Sequence, residues 1–153
     1  MKSLELKIPP PVLALGFALL MWLASRLMEP APWSLGVRLA VALGLLVVGQ
    51  SIGVAGILAF RRARTTINPF KPKSTSALVC DGVYRFTRNP MYVGLLLTLL
   101  GWAAFLASPL SLLLLPAFVL YINQFQIKPE ERALSSLFGA QYETYMARVR
   151  RWL

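Results

Sequence analysis

Three long stretches without a charged residue set the pattern of this chain. They cover residues 8–25, 39–60 and 89–127, which are 18, 22 and 39 residues long. A helix that crosses a bilayer needs about 20 apolar residues, and about 17 to 25 are tolerated, so the longest stretch is enough for two crossings. Its middle carries Ser108-Pro109, a turn signal that predicts a tight helical hairpin.

The pattern predicts an all-α fold, a polytopic membrane helical bundle of about four transmembrane helices in a single domain over residues 1–153. The predicted spans cover residues 8–27, 39–60, 90–107 and 110–128. A cleaved signal peptide is the alternative for the first span, but no small-x-small cleavage site stands before a polar segment there.

Polar segments join and follow these helices. Residues 61–89 form the predicted loop, and residues 129–153 form a tail with apolar positions at helical spacing. Gly139 separates two predicted amphipathic helices in the tail. The apolar stripe of the second consists of Tyr142, Tyr145, Met146, Val149 and Trp152. We expect the tail to lie along the bilayer surface over the cytoplasmic end of the bundle, either as a purely structural helix or as one that closes over a ligand.

Gly49, Gly53 and Gly56 fall on one face of the second predicted span. Small residues at intervals of three and four let membrane helices approach closely. A phosphate-binding glycine loop would follow a strand pattern, and no such pattern precedes these glycines. The cluster therefore predicts helix packing.

Composition and charge agree with a membrane protein. Of the 153 residues, 57% are hydrophobic, and the mean hydropathy of +0.61 is too high for an ordinary soluble domain. The net charge is +10, and with four spans all but Arg26 and Arg38 of the 16 lysines and arginines share the side of both termini. This bias predicts that the termini, the loop and the tail are cytoplasmic. Anionic headgroups account for the basic charge, so nucleic acid is not a predicted partner.

The chain contains no histidine and a single cysteine, Cys80. Any catalysis must therefore proceed without imidazole, and no internal disulfide can form. No metal site is predicted, because histidine is the commonest metal ligand in proteins.

Turn formers, aromatic rings and cations come together at residues 81–94, just before the hairpin. Asp81-Gly82 and Asn89-Pro90 are turn signals, and proline can begin a helix. The rings and cations of this block are Tyr84, Phe86, Tyr92, Arg85 and Arg88. We expect the rings at headgroup level and the arginines to reach outward to water or phosphate. The block predicts a lid or pocket wall at the membrane surface, although a plain interfacial anchor would have the same pattern.

Glu130 and Glu131 are the only paired acids, and they follow the last predicted span directly. Pro129 can begin a helix, and acids in a first turn complement its dipole, which is the ordinary interpretation. Asn123, Gln126 and Glu130 recur at intervals of three and four, which predicts one helical face that reaches into the bilayer. Polar groups at that depth point into a bundle or a wet cavity, so these three are the candidate catalytic residues.

Two blocks of the chain resemble the isoprenylcysteine carboxyl methyltransferase family and its phospholipid methyltransferase relatives. Residues 78–94 read LVxxGVYxxxRNPMYxG, and residues 127–151 read IxxEExxLxxxFGxxYxxYxxxVxR. Together they cover about the C-terminal half of the chain. Two matching blocks on either side of a matching hydrophobic hairpin are more specific than either block alone. The first half of the chain resembles the family only as generic membrane helix.

The resemblance implies S-adenosylmethionine as the cofactor. Its sulfonium and amino group suit carboxylate and aromatic neighbours, which Glu130, Tyr84 and Tyr92 could supply. Carried over position by position, the implied cofactor-binding residues are Ser76, Ala77, Leu78, Val79, Tyr84, Asn89, Pro90, Met91, Tyr92 and Glu130.

Two positions depart from the family pattern. Asn89 stands where the family has histidine, which keeps hydrogen bonding but loses any titratable role. Gln126 stands where the prenylcysteine enzymes carry an arginine for the substrate carboxylate, so that bidentate cation is missing. Methylation of a lipid amine, a thiol or another small lipophile is therefore favoured over carboxyl methylation.

The resemblance implies an integral membrane methyltransferase in a bacterial or archaeal inner membrane. It would bind its cofactor from the cytoplasm, while a lipid or small lipophilic acceptor enters from the bilayer. Two other classes stay open, a non-catalytic membrane scaffold or lipid-binding protein and a sterol-reductase-like enzyme. The scaffold predicts that Tyr92→Ala and Glu130→Gln are tolerated, and the reductase requires a basic pocket for a nicotinamide phosphate that the sequence does not indicate.

Overall fold

A computed structural model describes residues 5–64 and 77–153, and every regular element in these two segments is helical, which confirms the all-α prediction for them. A 3₁₀ turn at Gly82–Arg85 precedes α3, and a π-helical turn at Asn123–Ile127 joins α4 to α5. The α-helices are α1 Pro10–Ser25, α2 Leu35–Arg62, α3 Pro90–Leu106, α4 Pro109–Ile122, α5 Lys128–Phe138 and α6 Ala140–Arg148.

Two helices are long and apolar enough to cross a membrane. One is α2, with 28 residues, and the other is the continuous helix Pro109–Phe138, with 30 residues, which contains α4, the π-helical turn and α5. The apolar helices α1 and α3 are shorter, with 16 and 17 residues. The count of four spans stays a prediction.

Prolines mark where three of the helices begin. Pro10, Pro90 and Pro109 are the first residues of α1, α3 and α4, where a missing N–H leaves no hydrogen bond unmade. The chain reverses after α3 through Ala107, whose φ of 49° is left-handed. This reversal confirms the hairpin predicted from Ser108-Pro109.

Glycines bring α2 and α3 into direct backbone contact. A Cβ added to Gly94 would lie 2.5 Å from the carbonyl oxygen of Gly49 and 3.3 Å from the backbone nitrogen of Gly53. A Cβ on Gly101 would lie 3.0 Å from the oxygen of Ala42. The glycine face of α2 therefore packs on α3, which confirms the predicted role of that cluster.

The opposite side of α3 packs against α1 and α4 through side chains. The indole N–H of Trp102 donates to the carbonyl oxygen of Ala18 at 3.0 Å, and the hydroxyl of Ser111 donates to the oxygen of Met21 at 2.8 Å. Phe118 is fully buried in this core. Helices α1 and α2 both pack on α3 but scarcely touch each other, so a cleft lies between them.

The π-helical turn holds the segment that precedes α1. Pro129 has no N–H to donate to the carbonyl of Phe125 four residues earlier, and this oxygen accepts instead from the backbone N–H of Leu6 at 3.0 Å. Beside it, the side-chain amide of Gln126 donates to the oxygen of Ile8 at 2.7 Å. The start of α1 is thereby tied to the junction between α4 and α5.

The tail covers the loop with its apolar stripe. Tyr142 and Tyr145 of α6 are buried against Val79 and Tyr84, so these rings pack on the protein itself. Gly139 separates α5 from α6, as predicted. The apolar stripe was predicted to continue on one helix as far as Trp152. This was wrong, because α6 ends at Arg148 and the backbone is extended at Val149.

Candidate functional site

A cavity of about 1080 Å³ opens between α1 and α2 and ends under the loop and the tail. Its long walls come from α1, α2 and α3 and are almost entirely apolar. Polar and charged side chains gather at the end that α5 and α6 cover. We call this the polar end, and the residues that line it are Tyr84, Arg88, Asn89, Tyr92, Glu130, Glu131, Tyr142 and Tyr145.

Glu130 and Tyr92 form the central contact of the polar end. The Tyr92 hydroxyl donates to Oε1 of Glu130 at 2.5 Å, which joins the first turn of α3 to the first turn of α5. Glu130 lies beyond the charge-free stretch 89–127, and burial, with a smaller contribution from Glu131, raises its pKa from 4.5 to about 7, against the lowering by the Tyr92 hydrogen bond. The carboxyl group is thus poised to exchange a proton near neutral pH.

Tyr84 provides an aromatic wall beside this carboxyl group. Its ring stands edge to face against Phe60 of α2, with centroids 5.4 Å apart and planes at 87°. Its carbonyl oxygen accepts a 2.7 Å hydrogen bond from the hydroxyl of Tyr145. The 3₁₀ turn is therefore fixed between α2 and α6, and the ring is buried.

Glu131 links two arginines. The Arg151 guanidinium donates to both carboxylate oxygens, from Nε at 3.0 Å and from Nη2 at 2.7 Å. Nη2 of Arg88 lies 3.3 Å from Oε1 of the same carboxylate. Neighbouring backbone contacts reinforce the arrangement, since the N–H of Arg88 donates to the carbonyl of Arg150 at 3.0 Å.

The Asn89 side chain is hydrogen-bonded to the tail. Its Nδ2 donates to the carbonyl oxygen of Arg151 at 2.8 Å, and its backbone N–H donates to the hydroxyl of Thr87 at 3.1 Å. The amide oxygen and the second N–H of the amide group are left for a ligand. This follows from the loop and the tail lying side by side.

Most of the residues predicted to hold a cofactor share this cavity. Ser76 lies outside the described residues, and Pro90 packs on Gly56 of α2 rather than lining the cavity. The predicted residues that do line it are Ala77, Leu78, Val79, Tyr84, Asn89, Met91, Tyr92 and Glu130.

The structure does not bring Asn123 and Gln126 to the cavity with Glu130. Oδ1 of Asn123 accepts from the indole N–H of Trp152 at 3.0 Å, and Gln126 is 2% exposed and bound to Ile8. The expected shared face assumed a constant 3.6 residues per turn, and the π-helical turn changes that spacing between these residues and α5.

The loop differs from an interfacial anchor. Tyr84 and Tyr92 point inward and are buried, whereas Phe86 is 74% exposed. Arg88 was expected to reach water or phosphate, but it is paired with Glu131 inside the protein. Tyr142 and Tyr145 were not predicted to belong to the site, although their helical spacing indicated that they cover the cytoplasmic end of the bundle.

The apolar part of the cavity is open sideways. Leu15 of α1 and Leu43 and Leu46 of α2 line it and are also exposed, so the wall between α1 and α2 is incomplete. The lining residues of α3 run from Met91 to Phe105, about 21 Å at 1.5 Å per residue. The cleft is therefore long enough for an extended hydrocarbon chain.

Within residues 5–64 and 77–153, no group of three or more His, Cys, Asp or Glu side chains could hold a metal ion.

Comparisons with known proteins match most of the chain. A family model described as phospholipid methyltransferase covers residues 37–141. A probable protein-S-isoprenylcysteine O-methyltransferase of Oryza sativa subsp. japonica is 31% identical over 141 residues, which are 90% of this chain and 72% of the rice protein.

Two further relatives match over shorter segments. The protein-S-isoprenylcysteine O-methyltransferase of Schizosaccharomyces pombe is 32% identical over 108 residues, 71% of this chain and 46% of the yeast protein. An uncharacterized protein of Haemophilus influenzae is 51% identical over 63 residues, 41% of this chain and all of that protein. No solved structure matches the chain.

Proposed function

The chain belongs to the phospholipid methyltransferase family, and from this membership we propose that it is an integral membrane methyltransferase that uses S-adenosylmethionine. The observation that carries the proposal is the partly buried hydrogen bond between Tyr92 and Glu130 at the end of a large cavity. The acceptor is a lipid or small lipophile that enters from the bilayer, and the donor enters from the cytoplasm.

The polar end suits the donor chemically. A sulfonium and an ammonium group are stabilised by a carboxylate and by the faces of aromatic rings, which Glu130, Tyr84 and Tyr92 provide together. Leu78 and Val79 add an apolar surface of the kind that adenine needs. At about 1080 Å³, the cavity reaches the upper limit of about 1,000 Å³ for single-ligand pockets, which leaves room for donor and acceptor together.

The donor, when bound, supplies an electrophilic methyl group, and the protein's task is alignment rather than strong base catalysis. Glu130 offers the negative charge, and the Tyr92 hydroxyl fixes the orientation of its carboxylate. Tyr142 and Tyr145 cover this end and keep water away from the reacting atoms. Asn123 and Gln126 have no role in this scheme, because both are bound elsewhere.

The cleft between α1 and α2 is the proposed path for the acceptor. It is apolar along its length, opens sideways and ends at the polar end. A chain that slides in from the bilayer would place its head beside Glu130 without passing through water. Burial of its methylene groups, at about 0.8 kcal/mol each, favours this position over an aqueous route.

Calorimetric titration of the purified protein with S-adenosylmethionine tests the proposal. Glu130→Gln removes the charge but keeps the shape, and we expect donor affinity to fall about 10- to 100-fold, the value of one charge-assisted hydrogen bond. Since the pKa of Glu130 is raised to about 7, the carboxyl group must lose its proton when a cation binds. Wild-type affinity should therefore decrease as the pH falls below about 7, by up to about tenfold per pH unit.

The variant Glu143→Gln is the matched control, because Glu143 is an exposed acid on α6 outside the cavity lining. It should bind the donor like wild type with the same pH dependence, whereas Glu130→Gln should show a flat profile. No heat of binding with the wild-type protein would end the proposal. Equal donor affinity in wild type and Glu130→Gln would show that Glu130 is not part of the donor site.

A further inference from the structure

Gln50 interrupts the apolar stripe with which α2 lines the cavity. It stands near the middle of the charge-free stretch 39–60, and α2 is long and apolar enough to cross a membrane. A polar side chain at that depth marks a functional site by default, because a bilayer offers it no water. The other large side chains of the stripe are apolar and recur at helical spacing, and they are Leu39, Leu43, Leu46, Val54, Ile57 and Phe60.

Thr98 of α3 fixes the orientation of the Gln50 amide group. The Thr98 hydroxyl donates to the carbonyl oxygen of Gly94 at 2.9 Å, so Oγ1 can only accept from a further partner. Nε2 of Gln50 donates to this oxygen at 3.0 Å. The amide nitrogen therefore faces α3, and no described residue donates a hydrogen bond to Oε1 of Gln50.

The ordinary interpretation of Gln50 is a polar contact that holds two membrane helices together. This interpretation accounts for one N–H and leaves the rest of the amide group unexplained. Helices α2 and α3 are already in backbone contact at Gly49 and Gly94, and the Thr98 hydroxyl has its own acceptor. Oε1 and the second N–H of Gln50 make no hydrogen bond in the described part of the chain, although the side chain is exposed and lines the cavity.

Ser51 shows how a polar side chain at the same depth is satisfied without a ligand. Its hydroxyl donates to the carbonyl oxygen of Val47 one turn earlier at 2.7 Å, and it does not line the cavity. Gln50 has no such hydrogen bond to its own helix. An acceptor that meets neither water nor protein in an apolar cleft is costly, so a ligand that brings a donor to Oε1 is favoured there.

The cavity walls around Gln50 suit an uncharged donor. Among the described residues, the charged side chains that line the cavity are Arg88, Glu130 and Glu131, and all three belong to the polar end. A charged ligand group beside Gln50 would therefore have no counter-charge, and an unpaired charge is much more costly in apolar surroundings than a neutral polar group. A hydroxyl group is the simplest neutral donor.

We propose that Gln50 is a specificity site for the acceptor, and that the acceptor is a lipophile with a hydroxyl group part-way along its apolar body. The hydroxyl donates to Oε1 of Gln50, and Thr98 is the positioning residue that holds the amide group. Tyr92 and Thr98 are six residues apart on α3, which places the hydroxyl about 9 Å beyond the polar end at 1.5 Å per residue. The inference rests on the proposed function and deepens it, because it names the class of acceptor.

Single-chain probes test the site by binding alone. Hexadecylamine offers a cationic head to Glu130, and its 8-hydroxy derivative adds a hydroxyl at the carbon that about 9 Å of extended chain reaches. Native mass spectrometry of the full chain, released from detergent, measures the affinity for each probe. We expect wild type to bind the 8-hydroxy probe about 3- to 10-fold more tightly than hexadecylamine, the value of one neutral hydrogen bond. The 16-hydroxy derivative has the same composition and should show no such gain.

Variants then assign the preference to Gln50. Gln50→Leu keeps the approximate size of the side chain and should abolish the preference for the 8-hydroxy probe. Thr98→Val releases the amide group without removing it and should retain only part of the preference. Ser51→Ala is the matched control, because Ser51 is a polar residue at the same depth outside the cavity lining. It should keep the full wild-type preference.

The outcomes separate this inference from the proposed function. Failure of wild type to bind S-adenosylmethionine would contradict the proposed function, whereas the comparison between the probes does not depend on the donor. Donor binding together with equal affinity for hexadecylamine and its 8-hydroxy derivative, or with no binding of either, would show that the hydroxyl site does not exist. An equal gain for the 16-hydroxy probe, or a preference that survives in Gln50→Leu, would overturn the assignment to this residue.

Discussion

The two sides of α3 pack by opposite means. Towards α2, glycines on both helices allow backbone to meet backbone, with the oxygen of Gly49 beside Gly94 and that of Ala42 beside Gly101. Towards α1, side chains such as Trp102 reach across to single carbonyl groups, and α1 remains apart from α2. One side of α3 is a closed seam, and the other borders an open cleft.

This difference shows how a small membrane bundle can keep a cavity. Apolar helices gain little from contact with each other when lipid is as apolar as they are, so close packing depends on small residues. In this protein the small residues are concentrated at the seam, where the backbones of α2 and α3 are in contact. The cleft lacks such a pairing between α1 and α2, and it therefore stays available to a ligand.

The largest expected effect comes from breaking the seam with Gly94→Ala. The new Cβ would lie 2.5 Å from the oxygen of Gly49, and this backbone atom has no freedom to move within a helix. Overpacking of this kind costs about 3 kcal/mol. We expect a marked fall in the temperature of unfolding in detergent, followed by tryptophan fluorescence.

Gly53→Ala is the control for this experiment. Gly53 lies on the same face of α2, but a Cβ there would meet no atom within 4 Å. Its unfolding temperature should stay the same or rise, because alanine favours helix over glycine by about 0.5–1 kcal/mol. Equal losses in both variants would contradict the idea of a seam closed by backbone contact.

A smaller effect is expected from filling the cleft with Leu46→Trp. Leu46 lines the cavity, and a larger ring there would displace two or more methylene groups of a bound acceptor chain, at about 0.8 kcal/mol each. The KM for a long-chain acceptor should rise about tenfold. Donor affinity by calorimetry should be unchanged, because the polar end is untouched.

Val47→Trp tests whether the position of the ring matters. Val47 is the next residue on α2, is 63% exposed and does not line the cavity. Its KM should equal that of wild type. A rise in KM for this variant as large as for Leu46→Trp would mean that the chain does not occupy the cleft.

The smallest effect is expected from loosening the α1 side with Gln126→Leu. The change removes the hydrogen bond to the oxygen of Ile8 and should destabilise the protein by about 1 kcal/mol, measured by unfolding in detergent. The turnover rate should remain near that of wild type. Gln124→Leu, whose one described side-chain hydrogen bond is accepted from the exposed Lys128, should alter neither quantity. If turnover by Gln126→Leu were instead nearly abolished, the catalytic role predicted from the sequence would be restored.

The closed seam could be predicted from the sequence more easily than the site. Charge-free runs located the hydrophobic helices, Ser108-Pro109 located the hairpin, and the glycine face of α2 indicated packing. Each of these signals is local, because it depends on residues within one or two turns. The prediction that Glu130 and Tyr92 share a cavity came from the family resemblance rather than from such a signal.

Contacts between distant segments could not be predicted in this way. The pairing of Arg88 with Glu131 requires the loop, α5 and the tail to meet, and no local pattern encodes that meeting. Asn123 and Gln126 were misplaced because a single π-helical turn alters the helical phase, and Pro129 gave no sign that Leu6 would replace its missing N–H.

The sideways opening between α1 and α2 also governs which concentration of acceptor matters. A lipid that arrives through this opening diffuses in two dimensions, so its mole fraction in the membrane, and not its molarity in the tube, sets the rate of encounter. Extra inert phospholipid or detergent would then slow turnover by dilution within the surface phase, while the supply of donor from the aqueous phase stays constant.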